Sequence, residues 1–196
     1  MHVPPMCVCG NIFRGKILAS VSKNLFSVAG KTALITGGGS GIGGFMAQSL
    51  ADEGATILLV GRREEKLKEV LGARDGSIFV IDLSEAGASQ RLFKMVTDCG
   101  YQPDIIVNAA GINPRLHADE IDEDMWNYTV HLNLNVPFLV AQKFVPAMQA
   151  NRWGRIINIA SMQSSRAFPN GISYGAAKGG VTQLTRAMAE AWSALG

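Results

Sequence analysis

Lys31-Thr32-Ala33-Leu34-Ile35-Thr36-Gly37-Gly38-Gly39-Ser40-Gly41-Ile42-Gly43-Gly44 reads as a short apolar strand that breaks into glycine and then into a helical pattern. A chain leaving a strand and entering a helix points several unpaired amides, and the positive end of the helix dipole, at one spot. Glycine permits the tight turn and lets a pyrophosphate approach the backbone without meeting a Cβ. Gly39, Gly41 and Gly44 satisfy a GxGxxG spacing. That spacing alone is a weak signal, and its placement between a strand and a helix turns it into an expectation of nucleotide binding. The residues expected to hold the phosphates are Gly37, Gly39, Ser40, Gly41, Ile42 and Gly43.

Downstream of this loop the same alternation repeats. Apolar runs of strand length fall at Thr32 to Thr36, Thr56 to Val60, Ser77 to Ile81, Asp104 to Val107 and Arg155 to Ala160. They are rich in Ile, Val and Leu without polar alternation, as expected of strands covered on both faces. Between them lie helical patterns. Phe45, Met46, Ser49 and Leu50 form one face, followed by Glu64 to Leu71, Leu92 to Val96, Met125 to Met148 and Ile172 to Trp192. Strand–helix alternation predicts parallel strands joined by right-handed crossovers. The expected fold is therefore α/β, a three-layer, doubly wound parallel sheet of the Rossmann type. Residues 26–196 are expected to form that domain, and residues 1–25 are expected to be an unstructured extension.

Several later segments bear on chemistry. Asn108-Ala109-Ala110-Gly111 ends the fourth strand, and Asn133 lies in the next helix within Asn133-Leu134-Asn135-Val136-Pro137-Phe138. Ser161 ends the fifth strand, and Tyr174-Gly175-Ala176-Ala177-Lys178 opens the last helix. Together with Thr36-Gly37-x-x-x-Gly41-x-Gly43, these segments resemble the short-chain dehydrogenase/reductase family, from about Phe26 to the C-terminus. One departure is Ala109, where the family carries a second asparagine. Ile156 to Met162 and the general run of the chain most resemble the branch acting on gluconate-type sugar acids and their keto forms. Other polyols, 3-oxoacyl thioesters and steroids remain open as substrates.

The resemblance implies an oxidoreductase that moves a hydride between NADP(H) or NAD(H) and a secondary alcohol or ketone. It implies catalytic roles for Asn133, Ser161, Tyr174 and Lys178. Ser161 would hold the substrate oxygen, and Tyr174 would exchange its proton. Lys178 would grip the nicotinamide ribose, and Asn133 would help hold a water and Lys178 in a proton relay, with His131 as a rival for that role. Tyr174 and Lys178 are four apart at a helix start, so they share a face. A phenol is a poor base at neutral pH, and a neighbouring ammonium favours its anionic form. Further cofactor contacts are implied for Asn108, Ala109, Ala110, Gly111, Tyr174 and Lys178. Asp82-Leu83 resembles the family's adenine-contacting pair, and Asp82 could instead cap the next helix, as could Ser84.

The end of the second strand bears on NAD against NADP. An acid there accepts from the ribose 2′-hydroxyl, whereas arginine accommodates a 2′-phosphate. The chain reads Val60-Gly61-Arg62-Arg63, with no carboxylate until Glu64. The expectation is NADP, with NAD possible if Arg62 and Arg63 merely begin a solvated helix and pair with nearby glutamates.

Composition narrows the remaining classes. The 196 residues are 47% hydrophobic and 17% charged with a net charge of +2, which suits one globular domain and gives no electrostatic case for nucleic acid. No apolar stretch reaches the roughly eighteen residues of a membrane span. Cys7, Cys9 and Cys99 are an odd set that reads as reduced thiols of a reducing compartment, and no metal site is expected. The expected localisation is cytoplasmic. The acid-poor N-terminus, with Arg14, Lys16 and Lys23 and no acid before Asp52, leaves a mitochondrial transit segment as the alternative. Arg115, His117 and Arg166 could hold a substrate carboxylate or be solvated loop residues. Family likeness also implies that the fold stops short of its last strand and substrate-covering loop. It implies a homo-oligomer, once the fold is completed, through the helices of Met125 to Met148 and Ile172 to Trp192. The rival reading is a truncated, catalytically impaired nucleotide-binding or interaction protein.

Overall fold

A computed structural model describes residues 27–196, and the expected N-terminal extension, with Cys7 and Cys9, lies outside the described residues. Five parallel strands, β1 (Thr32–Thr36), β2 (Thr56–Gly61), β3 (Gly76–Val80), β4 (Ile105–Asn108) and β5 (Arg155–Asn158), form one sheet in the order β3-β2-β1-β4-β5. Six α-helices connect or follow them: α1 (Gly41–Asp52), α2 (Glu64–Leu71), α3 (Ala88–Asp98), α4 (Glu123–Val130), α5 (Val136–Ala150) and α6 (Ile172–Trp192). The strand order reverses between β1 and β4, which opens a crevice at the carboxyl ends of those two strands.

Both faces of the sheet are buried at β1, β2 and β4, as expected. By contrast β5, at the edge, contains no buried residue and leaves Ile157 38% exposed, against the expectation of a strand covered on both faces. The period of two along each strand assigns the side chains to layers. Ala33 and Ile35 of β1, Ile57 and Leu59 of β2, and Ile105 and Val107 of β4 pack with Ala47 of α1 and Leu67 of α2. Their neighbours Leu34, Leu58, Val60 and Ile106 face the opposite way, onto Leu92 and Val96 of α3, Val140 and Phe144 of α5, and Met188 of α6. Each fully buried aliphatic side chain of this kind contributes ~1.5–3 kcal/mol.

Three further sequence expectations change in the structure. The inward face of α1 is Gly43, Gly44 and Ala47, whereas Phe45 is 72% exposed and Ser49 also faces out. Gly43 lies against the Gly37 carbonyl and Ala109, Gly44 against Gly38 and Val70 of α2, and Ala47 packs with the strand residues, so the large side chain is rotated away. The continuous helix expected over Met125 to Met148 is interrupted by a wide π-type segment, His131–Asn135, between α4 and α5. Pro137 stands at the start of α5 and has no N–H to donate to the carbonyl four residues back, which favours a widened turn there. Cys99 is disulfide-bonded, against the expectation of reduced thiols. No helix of the described residues is long and apolar enough to cross a membrane, and no His, Cys, Asp and Glu cluster among them could hold a metal.

These packing assignments predict different costs on the two sides of one turn. Leu34→Ala, in the centre of the sheet, should cost ~2–5 kcal/mol of unfolding free energy. Phe45→Ser should stay within ~0.5 kcal/mol. Chemical denaturation of both variants checks this, and a loss above ~1 kcal/mol at Phe45 would mean that it packs against the domain.

Candidate active site

The crevice between β1 and β4 is a groove of about 420 Å³. Its floor is the glycine loop. Thr36 closes β1, and its Oγ1 accepts the N–H groups of Ala109 and Ala110, each at 3.2 Å, while donating to the carbonyl of Val107 at 3.4 Å. One hydroxyl thus ties the end of β1 to the turn that ends β4. The two loops approach so closely that a Cβ on Gly37 would lie 2.9 Å from the Ala109 carbonyl group, and Gly37 has φ +67. A Cβ on Gly43 would lie 2.5 Å from the Gly37 carbonyl oxygen. Side chains are excluded here by backbone. The first turn of α1 has Ser40 at its N-cap without a side-chain capping bond, so its amides face the groove uncapped. This arrangement fits a dinucleotide pyrophosphate.

Gly37, Gly39, Ser40, Gly41, Ile42, Gly43, Arg62, Arg63, Asp82, Leu83, Ala109, Ala110, Gly111, Asn133, Tyr174 and Lys178 all line this groove, as the sequence suggested. Asn108 and Ser161 do not. Asn108 is buried and directs its Nδ2 to Asn158 Oδ1 at 2.8 Å and to the Pro137 carbonyl at 3.3 Å. Ser161 begins the turn after β5, where its Oγ accepts the Gln163 N–H at 3.1 Å. Since that oxygen accepts from the backbone, its own O–H remains a donor. Lys66, Ile112, Asn113, Leu132 and Ile159 also line the groove and were missed. Lys66 stands in the first turn of α2, three residues after the N-cap Arg63, and that shared helix start could have flagged it.

At the far end, the arginines are not spent on the neighbouring glutamates. Glu64 and Glu65 pair with Lys68 at 2.8 and 3.3 Å. Arg63 Nη2 instead donates to Ser40 Oγ at 3.1 Å, bringing its guanidinium to the glycine loop. Arg62 Nη1 lies 3.5 Å from Asp82 Oδ2 and 3.4 Å from the Tyr128 hydroxyl. Asp82 accepts the amide and hydroxyl of Ser84 at 2.9 and 2.7 Å in a local turn, while α3 begins later, with Gly87 at its N-cap. Neither Asp82 nor Ser84 therefore caps that helix. Burial acts to raise the Asp82 carboxyl, but the Ser84 bonds and the Arg62 charge outweigh it and hold Asp82 below the ordinary carboxylate range.

At the other end, Asn133 sits in the π-type segment and is fully buried. Its Nδ2 donates to the carbonyls of Ile112 at 2.9 Å and Thr129 at 2.8 Å, which leaves Oδ1 as a buried acceptor without a partner among the described residues. That oxygen lies against Gly111, where a Cβ would collide with it, and the same Cβ would stand 3.9 Å from Lys178 Nζ. Lys178 is 5% exposed and donates to the Ile159 carbonyl at 2.7 Å, with Nζ 5.7 Å from the centroid of the Tyr174 ring. Burial lowers the Lys178 ammonium from its ordinary 10.5. The groove therefore presents a phenol, an ammonium and a carboxamide oxygen together at the end opposite the arginines.

This fold is that of a dehydrogenase family, as the comparisons show. The family model for short chain dehydrogenase matches residues 31–196, and the chain belongs to that family. The chain is 37% identical over 182 residues to 2-dehydro-3-deoxy-D-gluconate 5-dehydrogenase of Bacillus subtilis, covering 87% of this chain and 68% of that one. It is 35% identical over 165 residues to 3beta-hydroxysteroid dehydrogenase of Mediterraneibacter gnavus, covering 81% of this chain and 59% of that protein. Among solved structures, gluconate 5-dehydrogenase of Burkholderia cenocepacia J2315 in complex with NADP and tartrate superposes with a TM-score of 0.79 at 36% identity. That match covers 86% of this chain and 68% of the other.

The buried ammonium makes the protein's own pH dependence a test of the site. Lys178 binds its proton more weakly folded than unfolded, so the unfolded state holds more protons in the window between the depressed value and 10.5. Burial thus costs stability fully below that window, and the cost fades as pH rises through it. The Tm of Lys178→Met relative to the parent, without cofactor, should therefore move in the parent's favour as the pH is raised toward 10. A difference that is flat with pH would show that the ammonium is not desolvated.

Proposed function

We propose that this chain carries the site of an NADP-preferring oxidoreductase that interconverts a secondary alcohol and a ketone, with sugar acids and their keto forms as the substrate class. The observation that carries this reading is the meeting of Tyr174, Lys178 and Asn133 in the same groove as the glycine loop. The sugar-acid part rests on likeness to the two gluconate-type dehydrogenases.

The cofactor would lie along the groove, its pyrophosphate on the amides of the glycine loop and its ribose near Lys178. Bound there, it supplies the acceptor or donor of a hydride. The protein's part is to bind, orient and move a proton. Tyr174 takes the alcohol proton during oxidation and returns it during reduction. Ser161 donates its free O–H to the same substrate oxygen. Lys178 keeps a positive charge beside Tyr174, and the unpartnered Oδ1 of Asn133 offers an acceptor for a water in a relay with Lys178. Tyr174→Phe should reduce turnover to background yet leave NADP affinity within about twofold, the loss being of transition-state stabilisation alone. Substantial residual turnover in that variant would remove Tyr174 from its role.

The preference for NADP is assigned to the guanidiniums after β2. Arg63 is drawn to Ser40 beside the glycine loop, and Arg62 is held over Asp82 and Tyr128. Arg62→Ala with Arg63→Ala should weaken NADPH by ~10–100-fold, the worth of a charge-assisted bond to a phosphate. NADH should change far less. Equal losses for the two, by fluorescence titration, would show that neither arginine reads the 2′-phosphate.

A further inference from the structure

Beyond β5 the chain makes one tight helical turn, Met162–Ser164, with Ser161 at its N-cap. That turn is tied to α6, because Ser164 Oγ donates to the Lys178 carbonyl at 2.8 Å and accepts the Ser161 N–H at 3.3 Å. Gln163 is therefore held from both sides in sequence, and its backbone N–H carries the bond to Ser161 Oγ. Its side chain lies over the start of α6, where Gly171 and Gly175 stand four apart and flank Tyr174. A Cβ on Gly171 would overlap Gln163 Oε1 and stand 2.9 and 3.0 Å from its Cδ and Nε2. A Cβ on Gly175 would stand 3.3 Å from Oε1. The two glycines form a slot shaped to a carboxamide.

That carboxamide makes no hydrogen bond to any described residue. It opens into a second cleft of about 650 Å³, also lined by Leu116, His117, Arg166 and Phe168, which adjoins the groove at α6, where Tyr174 lines the one and Gly175 the other. A carboxamide brings an acceptor oxygen and two N–H donors. Its complement is a group that donates and accepts at once. A hydroxyl does both, a carboxylate only accepts, and an apolar substituent would leave the half-buried amide unpaired at a cost of ~1–3 kcal/mol.

We infer that Gln163, seated in the Gly171–Gly175 slot between Ser161 and Tyr174, is a specificity-determining residue. It reads a hydroxyl on the carbon next to the reacting one, so the substrate class is the α-hydroxy ketone and its vicinal diol. This rests on the hydride-transfer reading of the neighbouring groove and deepens it. A site that hydrogen-bonds a substrate hydroxyl discriminates strongly against the analogue lacking it, because its own polar groups are then stranded.

The test uses the whole chain loaded with NADPH, on which an alcohol binds without reacting, and follows quenching of NADPH fluorescence. The probes are trans-cyclohexane-1,2-diol and cyclohexanol, which differ by the one hydroxyl. The parent should bind the diol at least ~10-fold more tightly, about one hydrogen bond's worth. Gln163→Leu should bring that ratio close to one while NADPH affinity is kept. Gly171→Ala, which fills the slot and displaces an intact Gln163, should do the same. A merely structural role would weaken both alcohols together and leave the ratio. Equal affinity for the two alcohols in the parent, or a ratio that survives Gln163→Leu, would overturn the assignment of Gln163 and leave the groove's reading intact. Failure of the parent to bind NADPH at all would overturn both.

Discussion

The hydroxyl of Thr36 stands where the sheet changes direction. It accepts two successive amides of the turn after β4 and donates back to the Val107 carbonyl. Each such bond is worth only ~1 kcal/mol net, yet leaving buried amides unmade would cost more. The value of the contact is positional. It brings the end of β1 against Ala109 and Ala110, at a separation that only a glycine at Gly37 allows. The glycine loop, the wall opposite it and the gap between α1 and β4 all follow from that approach. Both halves of the groove are thereby registered on one atom, and side chains delivered by α4 to α6 meet a floor that is already in place.

Polar groups at this end of the molecule are bought at the expense of packing. Asn108, Asn158 and Thr185 form a chain of side-chain bonds, Asn108 Nδ2 to Asn158 Oδ1 at 2.8 Å and Asn158 Nδ2 to Thr185 Oγ1 at 2.9 Å, linking β4, β5 and α6. The same region contains Asn133 Oδ1 without a partner among the described residues and the desolvated ammonium of Lys178. Groups of this kind destabilise a resting fold, and their concentration beside one groove marks it as a candidate site rather than a packed core. The opposite end follows a different logic. The cations Arg62, Arg63 and Lys66 are half out of the protein, where they suit a charged ligand that arrives from solvent.

Much of this was legible along the chain because its signals are local. Strand runs buried on both faces read as unbroken aliphatic stretches, and β1 and α2 were found to the residue. The glycine spacing and the Tyr174-to-Lys178 interval placed those residues in one groove correctly, since a helix turn and a strand–helix junction are short-range geometry. Errors arose where another segment decides the outcome. Phe45 has the spacing of an inward residue, but α1 seats Gly43 and Gly44 against the glycine loop and α2 and turns Phe45 to solvent. The helix over Met125 to Met148 looked continuous, and the wide segment at His131–Asn135 depends on Pro137 and on burying Asn133 against Gly111.

The sequence by itself determined the doubly wound class, the glycine loop and the identities of the groove-lining tyrosine, lysine and asparagine, since each is encoded by residue type at fixed short spacing. Only the tertiary structure decided which polar groups are already engaged and which are free. Asn108 commits its Nδ2 to Asn158 and the Pro137 carbonyl, while its Oδ1 has no partner among the described residues. Asp82 is held by Ser84 and Arg62, and Glu64 and Glu65 belong to Lys68, leaving Arg63 to turn to Ser40. It likewise placed Gln163 in a slot made by glycines eight and twelve residues further on. The reason is that hydrogen bonding is a competition among partners within about 3 Å, and which partners come that close is set by packing between segments, not by the order of residues along any one of them.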